Sequence, residues 1–284
     1  MRQRWVECRT VSSDIKLVAI DLDGTLLNDA KEVTQRTVAS LARLEPRGVH
    51  VVIASARPPR SVRHIYRRLR LTTLQVNYNG ALIWDESTRQ AFYHQPLAGE
   101  VVRQIVIEAR RRHPELLVSS EILDRWYTDN FDREFARQFG PESSRMFEPD
   151  VIAPVETFYA MAATKLLLLG SQTIIEPLGR LVADQWASSA SVIHIDQGLL
   201  QIMDRRCSKA AAVRMVAQHY GLEMSQVMAI GDARNDVPML EAAGVAVAMD
   251  NAHPDTKAVA DWIAPSNNDH GVCAALQKYG LADR

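Results

Sequence analysis

Two aspartates separated by one residue, in the string Asp21-Leu22-Asp23-Gly24-Thr25, carry the strongest chemistry in this sequence. Carboxylates two positions apart on an extended chain point to the same side. They would repel each other unless a cation or a shared proton lies between them. Mg²⁺ suits this arrangement, because it binds one or two carboxylates together with phosphate and water oxygens. Aspartate is also an established covalent nucleophile for phosphoryl groups.

The simpler interpretation of this string is an acidic loop in which the aspartates cap a helix. Its position argues against that interpretation. The apolar run at residues 16–20 (Lys-Leu-Val-Ala-Ile) predicts a strand buried on both faces, and the run stops at Asp21. Gly24 would let the backbone turn sharply next to a ligand. We therefore predict a nucleophile or metal ligand at Asp21 rather than a helix cap.

Two further polar side chains, Ser55 and Lys209, lie at the ends of predicted elements. Ser55 comes directly after the apolar run at residues 49–54, and its hydroxyl, with backbone N–H groups such as that of Ala56, could hold phosphate oxygens. Taken alone, Ser55 is typical of a helix N-cap. Lys209 opens a helix predicted over residues 208–220, where a cation opposes the helix dipole. Lysines at such positions are usually solvated, yet this conflict indicates a bound anion or a carboxylate partner.

The string Gly231-Asp232-Ala233-Arg234-Asn235-Asp236 follows a strand predicted over residues 227–230. Asp232 would lie at the strand end and Asn235 and Asp236 at the start of the next helix. The alternative is an ordinary strand-to-helix turn with an aspartate cap. The density of carboxylate and amide groups favours metal binding, with Asp232 as an oxygen ligand and with Asn235 and Asp236 supporting it.

The alternation of short apolar strands and helices in the first and last parts of the chain predicts an α/β fold with a Rossmann-like parallel sheet. In such sheets ligands bind beyond the carboxyl ends of the strands. All four candidate groups, at Asp21, Ser55, Lys209 and Asp232, are predicted to follow such a strand end. The middle of the chain has a different texture and predicts an inserted α+β domain. We expect an N-terminal extension at residues 1–13, a core at residues 14–84 and 197–284, and the insertion at residues 85–196.

Bulk composition excludes several classes of protein. The net charge of −1 provides no global field that would recruit nucleic acid or an anionic membrane, so neither is expected as a partner. Three widely spaced cysteines form no disulfide framework, which suggests a reducing cytoplasm. The first residues lack the apolar segment of a secretory signal, and no apolar run could span a bilayer. The basic stretch at residues 57–70 is interpreted as a solvated helix face.

Together these strings resemble the haloacid dehalogenase superfamily of phosphohydrolases, in the order Asp-x-Asp-Gly-Thr, Ser, Lys and Gly-Asp-x-x-Asn-Asp. Further strings are similar to the Cof-type subfamily (subclass IIB). These are Asn79-Gly80-Ala81, Pro238-Met239, Ala248-Met249-x-Asn251-Ala252 and Ser266-Asn267-x-Asp269-x-Gly271-Val272. The resemblance covers the core from about residue 15 to the end of the chain. It implies a Mg²⁺-dependent phosphatase of small phosphorylated metabolites, of the sugar phosphate, nucleotide or pyridoxal phosphate type.

The resemblance also implies a role for each matching residue. Asp21 would form an aspartyl-phosphate, and Asp23 would protonate the leaving oxygen and then activate water. The phosphate group would be held by Ser55, Ala56, Lys209 and Asn235. The metal would be held by Asp21, the carbonyl of Asp23, Asp232 and, through metal-bound water, Asp236. The insertion would act as a cap whose residues choose the substrate.

Three positions depart from the family pattern and two other functions stay open. Ser55 stands where the family commonly has threonine, and it keeps the hydroxyl group. Ala56 and Ala210 stand where the family commonly has glycine, which adds methyl groups close to the ligand but removes no catalytic group. A phosphomutase would need the same two aspartates and differ only in the acceptor of the phosphoryl group. A non-catalytic protein that binds phosphorylated metabolites on this fold would be expected to have lost Asp21, Asp23 or Asp232, and all three are present.

Overall fold

The structure is a computed structural model that describes residues 15–131, 148–196 and 198–282. The predicted N-terminal extension lies outside these residues. The chain divides into two compact units, of which the first comprises residues up to Phe92 and from Ser208 onward. The second unit is Tyr93–Cys207.

The secondary structure of the chain alternates between strands and helices in the first unit, as predicted. Before the second unit its elements are β1 (Leu17–Ile20), α1 (Gln35–Leu41), β2 (His50–Ile53), α2 (Pro59–Leu69), β3 (Gln75–Asn77), β4 (Leu82–Asp85) and β5 (Gln90–His94). The second unit contains α3 (Gly99–Arg112), β6 (Leu117–Ile122), β7 (Arg125–Thr128), β8 (Val151–Ile152), β9 (Lys165–Leu169), α4 (Gln172–Gln185), β10 (Ala190–Asp196) and β11 (Leu199–Asp204). The chain then returns to the first unit with α5 (Lys209–His219), β12 (Val227–Gly231), α6 (Val237–Ala242), β13 (Val245–Met249), α7 (Pro254–Ala258), β14 (Trp262–Ala264) and α8 (Gly271–Lys278).

A five-stranded sheet with the order β14-β13-β12-β1-β2 forms the centre of the first unit, and every pair in it is parallel. Strand β1 is completely buried, as its continuous apolar sequence predicts. In the central register Ile20 pairs with Ile230 on one side and Ile53 on the other. The chain therefore leaves β1, β12 and β2 at the same edge of the sheet. The predicted α/β fold with a parallel core is confirmed.

Strands β3, β4 and β5 form a small separate sheet, in which β3 and β4 are antiparallel. This sheet carries the chain from the core to the second unit. Because β4 pairs with β3, the residues just after Asp85 stay with the first unit up to Phe92.

The second unit is a six-stranded sheet with the order β10-β11-β9-β6-β7-β8, antiparallel except for the pair β7 and β8. Helix α3 buries Val102, Ile105, Val106 and Ala109, a spacing that places them on one face. The hydrophobic core of the second unit contains these residues of α3 together with Leu166 and Leu168 of β9. This mixed α+β arrangement agrees with the change of texture in the sequence. None of the helices in the described residues is long and apolar enough to cross a membrane.

Candidate active site

The carboxyl ends of β1 and β12 bring Asp21 and Asp232 together. The backbone N–H of Asp21 donates to the carbonyl of Ile230 (2.9 Å), which keeps the two strands paired up to the point where both chains turn away. Asp21 is buried, with 5% of its surface exposed. The candidate site therefore begins directly after Ile20 and Ile230, the last paired residues of β1 and β12.

Lys209 joins these carboxylates from the start of α5. Ser208 caps this helix by accepting a hydrogen bond from the N–H of Ala211 (3.1 Å). The Lys209 ammonium is almost completely buried and pairs with the carboxylates of Asp21 and Asp236, the latter at 2.7 Å from Nζ to Oδ1. A lysine at the start of a helix was expected to have a carboxylate partner, and Lys209 has two, Asp21 and Asp236.

Asp21, Asp232 and Asp236 form one acidic cluster, in which one oxygen of each lies within 4.8 Å of the others. Both oxygens of the fully buried Asp236 are engaged. Oδ1 accepts from Lys209, and Oδ2 accepts from the backbone N–H groups of Asp232 (3.1 Å) and Ala233 (3.0 Å). Asp236 therefore fixes the loop that carries Asp232.

The acidic cluster has more negative than positive charge, because three carboxylates surround one ammonium. Burial raises the pKa of Asp21 well above its usual value; the Lys209 ammonium opposes this rise and the Asp236 carboxylate adds to it. Burial also raises the pKa of Asp232, against a hydrogen bond from Thr25. Burial favours the neutral amine of Lys209, but the Asp21 and Asp236 carboxylates outweigh it and raise its pKa. A divalent cation that prefers oxygen ligands fits this donor set and would compensate its charge.

The loop after β1 is shaped around Asp232. Gly24 has a φ of +81°, and a Cβ atom there would lie 2.4 Å from Oδ2 of Asp232. The hydroxyl of Thr25 donates to Oδ1 of Asp232 (2.7 Å). Gly24 therefore allows Asp232 to lie close to this loop, and the hydrogen bond from Thr25 holds it there.

Asp23 lies beside the acidic cluster and faces two cations. The guanidinium of Arg57 donates to both of its oxygens, and the ammonium of Lys31 donates to Oδ1 (3.0 Å). Burial favours the protonated form of Asp23, but these hydrogen bonds and charges outweigh it, so its pKa lies below the usual value. The interpretation of residues 57–70 as a solvated helix face is therefore wrong at Arg57. This residue precedes α2, in the loop at the end of β2, which brings it to the Asp23 carboxylate.

The predicted phosphate-binding residues lie on the loops around the acidic cluster. The buried Ser55 hydroxyl oxygen accepts a hydrogen bond from the backbone N–H of Arg57 (3.1 Å) and does not cap α2, whose N-cap is Pro58. Ala56 is exposed. Asn235 is also exposed, and its Nδ2 donates to Oδ1 of Asn79 (2.8 Å).

Two asparagines from the C-terminal part of the chain, Asn251 and Asn267, support the loop after β1. Nδ2 of Asn251 donates to the carbonyl of Gly24 (2.8 Å), and Oδ1 of Asn251 accepts from the backbone N–H of Asn267 (3.0 Å). Nδ2 of Asn267 in turn donates to the carbonyl of Leu27 (3.0 Å). These contacts give a structural reason for asparagines far from the site in sequence.

Four residues at the site received no role from the sequence, namely Lys31, Arg57, Asn79 and Asn251. Arg57 shared the strand-end position of Ser55, which was a usable signal. Asn79 and Asn251 occurred in strings that matched the subfamily, but nothing in those strings showed what they contact. Lys31 gave no signal, because a lysine in a polar loop is usually solvated.

Comparison with known proteins agrees with this geometry. A family model described as haloacid dehalogenase-like hydrolase matches residues 18–276. The chain belongs to this family. As a haloacid dehalogenase-like hydrolase it is 28% identical over 275 residues to a 5-amino-6-(5-phospho-D-ribitylamino)uracil phosphatase of Bacillus subtilis, covering 93% of this chain and 97% of the relative.

Solved structures of haloacid dehalogenase-like hydrolases share the fold. One from Bacteroides thetaiotaomicron is 27% identical with a TM-score of 0.81, covering 93% of this chain and 98% of that one. A sugar phosphatase of subclass IIB has the same fold, with a TM-score of 0.78 at 17% identity, covering 94% of this chain and 99% of that one. The predicted family is confirmed. The prediction of a phosphoric monoester hydrolase is confirmed by the family and by relatives named as phosphatases.

Proposed function

We propose that this hydrolase is a Mg²⁺-dependent phosphatase of small phosphorylated metabolites that works through an aspartyl-phosphate on Asp21. The observation that carries the proposal is the buried Lys209 paired with Asp21 and Asp236 inside the acidic cluster. Phosphoryl transfer requires placement and charge neutralisation more than elaborate bond chemistry. A buried nucleophile, a buried ammonium and a metal-binding set of oxygens supply both.

In the first step an oxygen of Asp21 attacks phosphorus while the bond from phosphorus to the leaving oxygen breaks, and Asp23 donates a proton to that oxygen. In the second step Asp23 takes a proton from water, whose oxygen attacks the aspartyl-phosphate and releases phosphate and the Asp21 carboxylate. Asp23 lies between Arg57 and Lys31, which favour its ionised form. We expect the phosphate dianion to offset these cations and to bring the proton onto Asp23.

Ser55, Ala56, Lys209 and Asn235 hold the phosphoryl group in this proposal. Because the Ser55 oxygen accepts the N–H of Arg57, its own O–H proton can be donated to a phosphoryl oxygen. The backbone N–H of Ala56 and the amide of Asn235 add donors. Lys209 adds a buried positive charge, which acts strongly where water is excluded.

Asp21 and Asp232 would hold the Mg²⁺ ion directly, with the carbonyl of Asp23. Asp236 would act through a metal-bound water, because both of its carboxylate oxygens already accept hydrogen bonds from protein groups. When bound, the ion supplies positive charge that stabilises the transferring phosphoryl group.

The second unit, Tyr93–Cys207, supplies the residues that select the substrate in this proposal, as the cap does in the family. The substrate class includes sugar phosphates, nucleotides and pyridoxal phosphate. The relative from Bacillus subtilis adds 5-amino-6-(5-phospho-D-ribitylamino)uracil to the compounds that should be assayed. A cytoplasmic location, expected from the cysteines, suits such metabolites.

The test is phosphate release across a panel of these compounds, with and without Mg²⁺. We expect Mg²⁺-dependent release by the wild type and none by Asp21→Asn. A matched control is Asp250→Asn, because this exposed aspartate pairs only with Lys257 among the described ion pairs. Undiminished turnover in Asp21→Asn would overturn the mechanism. Transfer of the phosphoryl group to a sugar hydroxyl rather than to water would identify a phosphomutase.

A further inference from the structure

Three consecutive residues, Tyr78, Asn79 and Gly80, form a left-handed turn just after β3. Their φ angles are +47°, +51° and +97°. Side chains other than that of glycine are strained in this region, and Tyr78 is both bulky and fully buried. Strained backbone of this kind persists only where the surrounding structure enforces it, and it occurs often at functional sites.

Hydrogen bonds join this turn to the loop that carries Ser55. The backbone N–H of Asn79 donates to the carbonyl of Ser55 (3.0 Å). The backbone N–H of Tyr78 donates to the carbonyl of Arg57 (3.3 Å), and Nδ2 of Asn77 donates to the same carbonyl (3.1 Å). These bonds hold the Ser55 loop against the turn and offset the strain.

The same turn contacts the other two elements that carry phosphate-binding residues. Oδ1 of Asn79 accepts from Nδ2 of Asn235 (2.8 Å), across 156 positions of sequence. Gly80 packs so closely on the residue before Lys209 that a Cβ atom would lie 2.2 Å from the carbonyl oxygen of Ser208. One turn therefore contacts the segments of Ser55, Lys209 and Asn235.

We propose that Asn79 is a positioning residue that orients the amide of Asn235 toward the phosphoryl group. An asparagine amide can present either its oxygen or its N–H₂ group, and only the N–H₂ group attracts an anion. In the structure the acceptor oxygen of Asn79 pairs with one N–H of the Asn235 amide, which leaves the second N–H of that amide for a phosphoryl oxygen. The inference rests on the proposed function, in which Asn235 binds the substrate phosphate.

The variant Asn79→Gly tests this role, because glycine keeps the left-handed backbone and removes only the amide. We expect the affinity for inorganic phosphate, measured by calorimetry with Mg²⁺, to fall roughly 10-fold, as for other partners that orient binding residues. A matched control is Arg70→Gly, since Arg70 also has a positive φ (+55°) but ends α2. This control should leave phosphate affinity unchanged.

A double-mutant cycle separates positioning from a general structural role. If Asn79 acts through Asn235, Asn79→Gly should change phosphate affinity less than about twofold when Asn235→Ala is already present. Because Asn235 is exposed, Asn235→Ala should fold even if an Asn79 variant is unstable, and thermal unfolding checks each protein.

Two results would overturn the inference. One is unchanged phosphate affinity in Asn79→Gly, and the other is an equal loss with and without Asn235. A wild type that binds phosphate but releases none from any substrate would overturn the proposed function alone. In that case the binding cycle would still decide the role of Asn79.

Discussion

The guanidinium of Arg57 holds the Asp23 carboxylate by two hydrogen bonds, from Nε to Oδ2 at 2.7 Å and from Nη2 to Oδ1 at 2.5 Å. A bidentate pair of this kind fixes the plane of the carboxylate as well as its distance. Asp23 is the residue proposed to move a proton to and from the leaving oxygen. The orientation of that proton donor therefore depends on a residue from the loop after β2.

We expect Arg57→Ala to lower kcat most for substrates with poor leaving groups, such as alkyl phosphates. The loss should be about 10- to 100-fold, because an acid catalyst that is loosely held gives up much of its contribution. The leaving group of p-nitrophenyl phosphate, p-nitrophenolate, departs without a proton. The kcat for this substrate should therefore fall much less. Kinetics on both substrates provide the measurement.

Arg57→Lys is the matched variant for this prediction, since it keeps the charge and removes the two-point contact. It should recover only part of the kcat that Arg57→Ala loses on alkyl phosphates. An equal loss of kcat/KM for both substrates would instead show that Arg57 binds the phosphate group.

The pairing of Asp23 with Arg57 and Lys31 also predicts how stability changes with pH. The pKa of Asp23 is lower in the folded protein than in the unfolded chain, where it is about 3.9. The pair therefore stabilises the fold fully above the unfolded pKa, and this stability is lost as pH falls through the folded pKa. Asp23→Asn should lose the most stability at neutral pH and approach the wild type in acid.

Chemical unfolding between pH 3 and pH 7, in buffer with a metal chelator, measures this difference. Asp250→Asn provides the comparison, because its carboxylate is 70% exposed. A gap between wild type and Asp23→Asn that stays constant across this range would contradict the pairing.

Gly24→Ala should damage both the fold and the site. Alanine at a φ of +81° costs about 1–2 kcal/mol of stability, and its Cβ atom would press on the Asp232 carboxylate. We expect kcat/KM to fall about 10-fold or more, with weaker activation by Mg²⁺.

Gly48→Ala is the matched control, because Gly48 also has a positive φ (+71°) but no neighbouring atom within 4 Å of the place that a Cβ atom would take. It should lose similar stability in thermal unfolding and keep its turnover. If the two variants were equally active, the approach of Gly24 to Asp232 would not matter for catalysis.

The sequence was sufficient to predict the parallel core and the residues at its edge. Apolar runs that are buried on both faces mark β1, β2 and β12, and the polar residues that follow them must leave the sheet at one edge. Asp21, Ser55 and Asp232 could be named for this reason. Their assembly follows from strand direction, which the alternation of elements already implies.

The tertiary structure alone decided which side chains pair with one another. Arg57 contacts Asp23 across 34 positions, and Asn79 contacts Asn235 across 156. Such pairs depend on loop conformation and side-chain rotamers, including a positive φ at Tyr78 that no local preference of tyrosine favours. The sequence determined which groups gather at the edge of the sheet, because strand order is encoded in local patterns. Which oxygen each donor meets was decided by packing, because loops from distant parts of the chain determine it jointly.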